Sequence, residues 1–144
     1  MTTFDLPDQS ATEALAVRLA ELAQAGDVLA LHGEMGMGKS VFARAFLRAL
    51  AQDPALEVPS PTFSLVQTYD TSKGAVAHFD LWRLDGPDSL FELGWDELQD
   101  GIMLVEWPER AEDDLPDHAL HLTLSPGVEE EARIATINGW SDRL

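Results

Sequence analysis

Apolar and polar positions change period several times along this chain, and each change marks an element. Ala14, Leu15, Val17, Leu19, Leu22 and Ala23 recur at helical spacing and predict an amphipathic first helix. Ser10-Ala11-Thr12-Glu13 reads as a capping box that opens it, and Gly26 as its end. Val28-Leu29-Ala30-Leu31 is a short apolar run suited to a buried strand. Val41, Phe42, Ala45, Phe46, Ala49 and Leu50 return to helical spacing, until Asp53-Pro54 breaks the pattern. Pro59 and Pro61 then force an extended approach to a strand over Phe63 to Tyr69. Asp70 to Gly74 reads as a hairpin turn and Ala75 to Trp82 as the returning strand. Pro87 to Leu93 and Trp95 to Leu98 predict short helices separated by Gly94. Ile102 to Val105 is continuously apolar and ends in Glu106, the pattern of a strand buried on both faces. Pro108 can start a short helix, and Ala119 to Leu124 with Ala132 to Ile137 alternate as an antiparallel hairpin around Pro126-Gly127. The order predicts an α/β fold: a mainly parallel central sheet with antiparallel strands added and helices packed around it.

Between the first strand and the second helix lies Gly33-Glu34-Met35-Gly36-Met37-Gly38-Lys39-Ser40, which fits G-x-x-x-x-G-K-[ST]. The spacing has a chemical reason. Glycines let the backbone bend until successive N–H groups point inward as an anion nest. Lys39 supplies a point charge for β- and γ-phosphates, and the Ser40 hydroxyl can ligate Mg²⁺. The helix starting near Lys39 adds the positive end of its dipole. A chance match in a chain of this length has odds of roughly 0.5% at average residue frequencies, and the flanking strand and helix lower them further. The motif makes the expected fold a P-loop NTPase fold.

Composition narrows the setting. The 144 residues suit one domain, 1–144, without an internal repeat or linker. There are no cysteines, so disulfide and thiol chemistry are excluded. No apolar run approaches a membrane span, and Met1 to Gln9 is acidic, with no signal-type segment after it; a cytoplasmic protein is the expectation. Nine basic residues face 26 acidic ones, a net charge of -17. Such a surface repels nucleic-acid phosphates and anionic membranes, so any role with RNA should act through a partner. Solubility or a salty habitat also accounts for an acidic excess.

A P-loop site needs an acid at the carboxyl end of a neighbouring strand, opposite Ser40. Glu106 ends the more continuous apolar run and is placed at the metal. Asp80 ends a more alternating strand and is given the attacking water or an outer metal contact. The two roles are exchangeable at this level, and a surface carboxylate remains the plain alternative for each. His78 shares a strand face with Asp80. It can orient a carboxylate, bind a phosphate, or be a satisfied structural histidine. Thr62 either contacts the γ-phosphate or caps a turn. Trp107 either stacks near the site or is simply buried. No cluster of His, Asp and Glu has zinc-site spacing.

Four motifs in order, Gly33–Ser40, Ser60-Pro61-Thr62-Phe63, His78-Phe79-Asp80-Leu81-Trp82-Arg83-Leu84 and Leu104-Val105-Glu106-Trp107-Pro108-Glu109, resemble the bacterial TsaE (YjeE) family over nearly the whole chain. The resemblance implies a P-loop ATPase required for threonylcarbamoyladenosine on tRNA, at the adenosine beside the anticodon. It implies work with TsaB- and TsaD-like proteins, after TsaC makes threonylcarbamoyl-adenylate. Carried over, Gly33, Glu34, Met35, Gly36, Met37, Gly38, Lys39 and Ser40 bind ATP, and Ser40 and Glu106 hold Mg²⁺. Lys39, Asp80 and Glu106 carry hydrolysis, the loop before Thr62 behaves as a nucleotide switch, and the stretch from Gln9 to Thr12 lies near the adenine. Ser40 stands where most members have threonine, which keeps the hydroxyl. Trp82 stands where tyrosine is usual, which removes a phenol.

Other nucleotide-binding classes fit less well. A GTPase needs an Asn-Lys-x-Asp base reader, yet the sole asparagine, Asn138, precedes glycine, and no Asp-x-x-Gly switch occurs. A small-molecule P-loop kinase usually carries an arginine-bearing lid, and no long basic insert follows the P-loop. A nucleotide-dependent regulatory binding module overlaps with the family reading, because the family's ATPase serves a complex.

Overall fold

In the computed structural model, residues 1–61, 64–84 and 87–144 are described. In chain order the elements are β1 (Thr2–Leu6), α1 (Gln9–Leu22), β2 (Val28–His32), α2 (Lys39–Ala51), β3 (Val66–Thr71), β4 (Gly74–Asp80), α3 (Pro87–Glu92), α4 (Trp95–Leu98), β5 (Ile102–Glu106), a 3-10 segment (Pro108–Asp114), β6 (Leu120–Pro126) and β7 (Arg133–Asn138). The strands form one sheet in the order β1-β7-β6-β2-β5-β4-β3. Its centre, β6-β2-β5-β4, is parallel throughout. Antiparallel strands are added at both edges: β7 and β1 on one side, β3 on the other.

The continuous apolar runs follow from burial on both faces. Leu29, Leu31, Leu104 and Leu122 join Leu15, Leu19, Phe42, Phe46 and Leu47 in the core beneath α1 and α2. Val28, Phe79, Met103 and Val105 join Leu90, Trp95 and Ala111 in the core on the opposite face. Strand alternation therefore assigns sides: Leu104 belongs to the α1/α2 face, so Glu106, two residues on, shares it. His78 and Asp80 are paired in register with Leu104 and Glu106, which places them on that face as well.

Several local readings are corrected or extended. The first helix begins at Gln9, not after Ser10, because Asp8 is its N-cap and accepts from the Ala11 N–H at 2.9 Å. Asp8 precedes Ser10 in a suitable extended conformation, so Ser10 and Thr12 fall inside the helix. That helix ends at Leu22 with Ala23 as its cap, while Gly26, at φ 95°, makes the later turn into β2. The hairpin is tighter than expected, with β3 running through Thr71 and β4 starting at Gly74. Finally, the N-terminal Thr2–Leu6 is an edge strand on β7 that periodicity does not reveal.

Candidate nucleotide site at the carboxyl edge of the sheet

The four central strands are parallel, so their carboxyl ends share one edge, where open α/β sheets bind ligands. At that edge β2 leaves the sheet at His32 and enters the Gly33–Ser40 loop. The loop's conformation requires its glycines. Gly38 caps α2 in the left-handed region at φ 98°, which a side chain adopts only with strain. Gly33 has φ 146°, and a Cβ there would stand 3.0 Å from the Leu124 carbonyl oxygen of β6. Close backbone approach thus joins β6 to the floor of the loop.

Lys39 opens α2 and is buried, at 7% exposure, yet no carboxylate pairs with it among the described residues. Its ammonium rests on the Trp107 indole, 4.0 Å from the ring centroid. A cation–π seat keeps the charge without neutralising it, so the ammonium remains available to an anion. Trp107 reaches this place by unusual backbone. Pro108 disfavours the right-handed helical region at the residue before it, and Trp107 sits in the left-handed region at φ 56°, ψ 51°. Such a conformation costs on the order of 1–3 kcal/mol in a non-glycine residue and is concentrated at functional sites. Trp107 also packs on the half-exposed Trp82, with ring centroids 4.5 Å apart, and Arg110 stands 6.0 Å from the Trp82 ring.

The two acids singled out in the sequence come together. Asp80 and Glu106 are register partners at the ends of β4 and β5, and Leu31 of β2 is in register with Glu106. Both are buried, at 6% and 8% exposure. The Asp80 carboxylate accepts from the Trp82 N–H at 3.0 Å, which fixes it at the strand end. Glu106 Oε2 is 2.6 Å from His78 Nε2. His78 thus contacts a carboxylate, as two of its readings, orienting residue or satisfied structural histidine, allow. Ser40 follows Lys39 in the first turn of α2 and is exposed. Carboxylates and a hydroxyl are hard oxygen donors, the set that suits Mg²⁺. Among the described residues no group of three or more His, Cys, Asp or Glu is placed to hold a metal by itself. Thr62 lies outside the described residues.

Beside the loop is a cavity of about 390 Å³, lined by Thr12, Gly36, Met37, Gly38, Val41 and Arg133 among others. Thr12, buried in α1, thus lies against the same loop as Lys39. A larger cavity of about 710 Å³ lies between α1, α2 and the β3–β4 turn, but no residue of the loop lines it. The smaller one is the better continuation of a phosphate site. Arg133 was not singled out in the sequence. It donates from Nη1 to the Glu130 and Ala132 carbonyls, each at 2.8 Å, and from Nη2 to Gly36 O at 3.4 Å, tying the β6–β7 turn to the loop. A lone arginine in a hairpin carries no local signal of this. His32 was missed as well: its Nε2 is 2.9 Å from Nδ1 of His121 on β6. Burial, and next the neighbouring His121, hold its pKa below the ordinary value, with Lys39 adding and Glu109 opposing.

Comparison with known proteins places these features in context. Residues 6–134 match the family described as threonylcarbamoyl adenosine biosynthesis protein TsaE. The chain is 38% identical over 105 residues to the TsaE protein of Aquifex aeolicus, covering 73% of this chain and 75% of that one. It is 34% identical over 125 residues to that of Bacillus subtilis, covering 85% and 77%. With the Rickettsia felis protein identity is 37% over 105 residues, covering 72% of this chain but 61% of the relative's length. The crystal structure of Bacillus subtilis YdiB superposes with a TM-score of 0.73 at 26% identity, covering 99% of this chain and 87% of that one.

Proposed function

This chain belongs to the TsaE family of threonylcarbamoyl adenosine biosynthesis proteins, and from that premise we propose that it is a Mg²⁺-dependent ATPase serving threonylcarbamoyladenosine modification of tRNA. The observation that carries the reading is the strand register at the carboxyl edge. It sets Asp80 beside Glu106, and Glu106 beside the end of the strand that feeds the phosphate loop.

The loop amides from Gly33 to Ser40 and the Lys39 ammonium bind the β- and γ-phosphates, Lys39 leaving the Trp107 face to do so. Ser40 and Glu106 would hold Mg²⁺, which would supply positive charge opposite the phosphate oxygens. Asp80 orients the attacking water through its carboxylate. Thr12 lies near the adenine, and Thr62 reports the γ-phosphate. The α2 helix begins at Lys39, so the positive end of its dipole would favour the charge that develops there.

The protein acts in the cytoplasm with TsaB- and TsaD-like partners. RNA contact comes from those partners: a net charge of -17 leaves little counterion release to favour tRNA binding by this chain alone. No described helix is long and apolar enough to cross a membrane. The test is phosphate release from ATP by the purified chain, with and without a TsaB/TsaD-like pair, together with tRNA and partner binding. The reading expects partner-stimulated hydrolysis, ATP-dependent partner binding and negligible binding of free tRNA at physiological salt. Equal partner affinity with and without ATP, or submicromolar tRNA affinity with a steep salt slope, would overturn it.

A further inference from the structure

His78 is buried, at 2% exposure, in the middle of the sheet, where a polar ring needs a reason. Its Nε2 makes a 2.6 Å contact with Glu106 Oε2, across from β4 to β5. Its Nδ1 has no hydrogen-bond partner among the described residues. The ring's polar engagement is thus with Glu106. The carboxylate is acceptor-only when ionised, so the Nε2–H donates to it. At 2.6 Å this is a short, charge-assisted bond.

We propose that His78 is a positioning residue that locks the Glu106 carboxylate for the divalent cation of the nucleotide site. A glutamate at a strand end rotates about three side-chain torsions, and a metal ligand that rotates binds weakly. The imidazole removes that freedom. It is rigid, fully packed and mounted on the adjacent strand, in register with Leu104, two residues before Glu106. An ionised carboxylate offers about four lone-pair sites, so accepting one N–H leaves the rest of Glu106 free to face a cation. Outer partners of metal ligands typically contribute 10- to 100-fold in metal affinity.

The inference rests on the proposed Mg·ATP site, and the experiment separates the two. ATP affinity is measured by calorimetry on the full chain in EDTA and again in Mg²⁺, for wild type, His78→Phe and His78→Gln. The ratio of the two affinities reads the metal's contribution. Phenylalanine keeps an aromatic ring, somewhat larger, without a donor; glutamine keeps an N–H donor near the imidazole Nε2. His78→Phe should bind ATP in EDTA as wild type does, while its ratio falls roughly 10- to 100-fold. His78→Gln should recover most of the ratio. Should His78→Phe not fold, His78→Asn takes its place, because the shorter amide cannot span to Oε2 and should lose the ratio too. An unchanged ratio in His78→Phe, or in the His78→Asn that replaces it, would overturn the proposal. Parallel loss of affinity with and without metal would also overturn it, as a plain structural role. Failure of wild type to bind ATP in both conditions would contradict the nucleotide site itself, and the positioning role with it.

Discussion

Two buried carboxylates stand at opposite ends of the same sheet and are treated differently. Asp27 lies just before β2, at the amino edge. Arg143 donates to both of its oxygens, from Nη1 at 2.6 Å and from Nη2 at 3.1 Å, and the Gln24 N–H adds 2.6 Å. The Asp27 carboxylate in turn holds the guanidinium of Arg143 above its ordinary pKa, and Arg143 stacks on Trp140 at 4.5 Å. This is a bidentate pair that pins the C-terminal segment to the start of the central strand. Glu106, at the carboxyl edge, has only the His78 ring as its partner among the described residues. The nearby cation, Lys39, rests on an indole instead. A carboxylate neutralised by a fork of N–H groups stabilises structure. One buried beside an unpaired ammonium is poised for charges that arrive with a ligand.

Breaking the amino-edge pair should have the largest effect on stability and none on the nucleotide site. Arg143→Ala leaves buried Asp27 with the Gln24 N–H as its remaining partner, and urea unfolding should show a loss of about 1–3 kcal/mol. ATP affinity at saturating folded protein should be unchanged; a matching loss of affinity would deny the separation of the two edges.

At the carboxyl edge the balance reverses. Asp80→Asn should lower turnover about 100-fold while nucleotide affinity holds, because it removes the carboxylate proposed to orient water. Glu106→Gln should leave the urea midpoint near that of wild type and raise the Mg²⁺ needed for half-maximal activity roughly 10-fold or more. Metal titrations of the two variants decide the assignment, and the reverse pattern exchanges the roles of Asp80 and Glu106.

The smallest effect concerns His32. Its pKa is depressed in the folded state below the ordinary 6.5, so its neutral form favours folding. The contribution is present above pH 6.5 and is lost as pH falls through the lowered folded value. His32→Gln should therefore show a shallower loss of unfolding free energy below pH 6.5 than wild type does. Equal slopes would show that burial and the neighbouring His121 do not oppose protonation of His32.

The same contrast explains what the sequence discloses. The phosphate loop is legible because its chemistry depends on residues spaced along one turn. β5 is legible because a strand covered on both faces must be apolar throughout, and Glu106 ends that run. β1 is hidden because it is an edge strand: Phe4 and Leu6 alternate with polar residues over too short a length to stand out, and its partner β7 lies at the far end of the chain. The His78–Glu106, Asp27–Arg143 and His32–His121 contacts join residues 28, 116 and 89 positions apart, so no local pattern encodes them. The left-handed Trp107 is half legible. Pro108 excludes one conformation, but only the packed site decides which remaining one is taken.

The central claim is that the carboxyl edge binds ATP phosphates through Lys39, and the most direct measurement is ATP binding by calorimetry to wild type and Lys39→Ala. The account predicts that wild type binds ATP and that the variant, still folded by circular dichroism, binds at least about 10-fold more weakly. Equal affinity of the two proteins would contradict it.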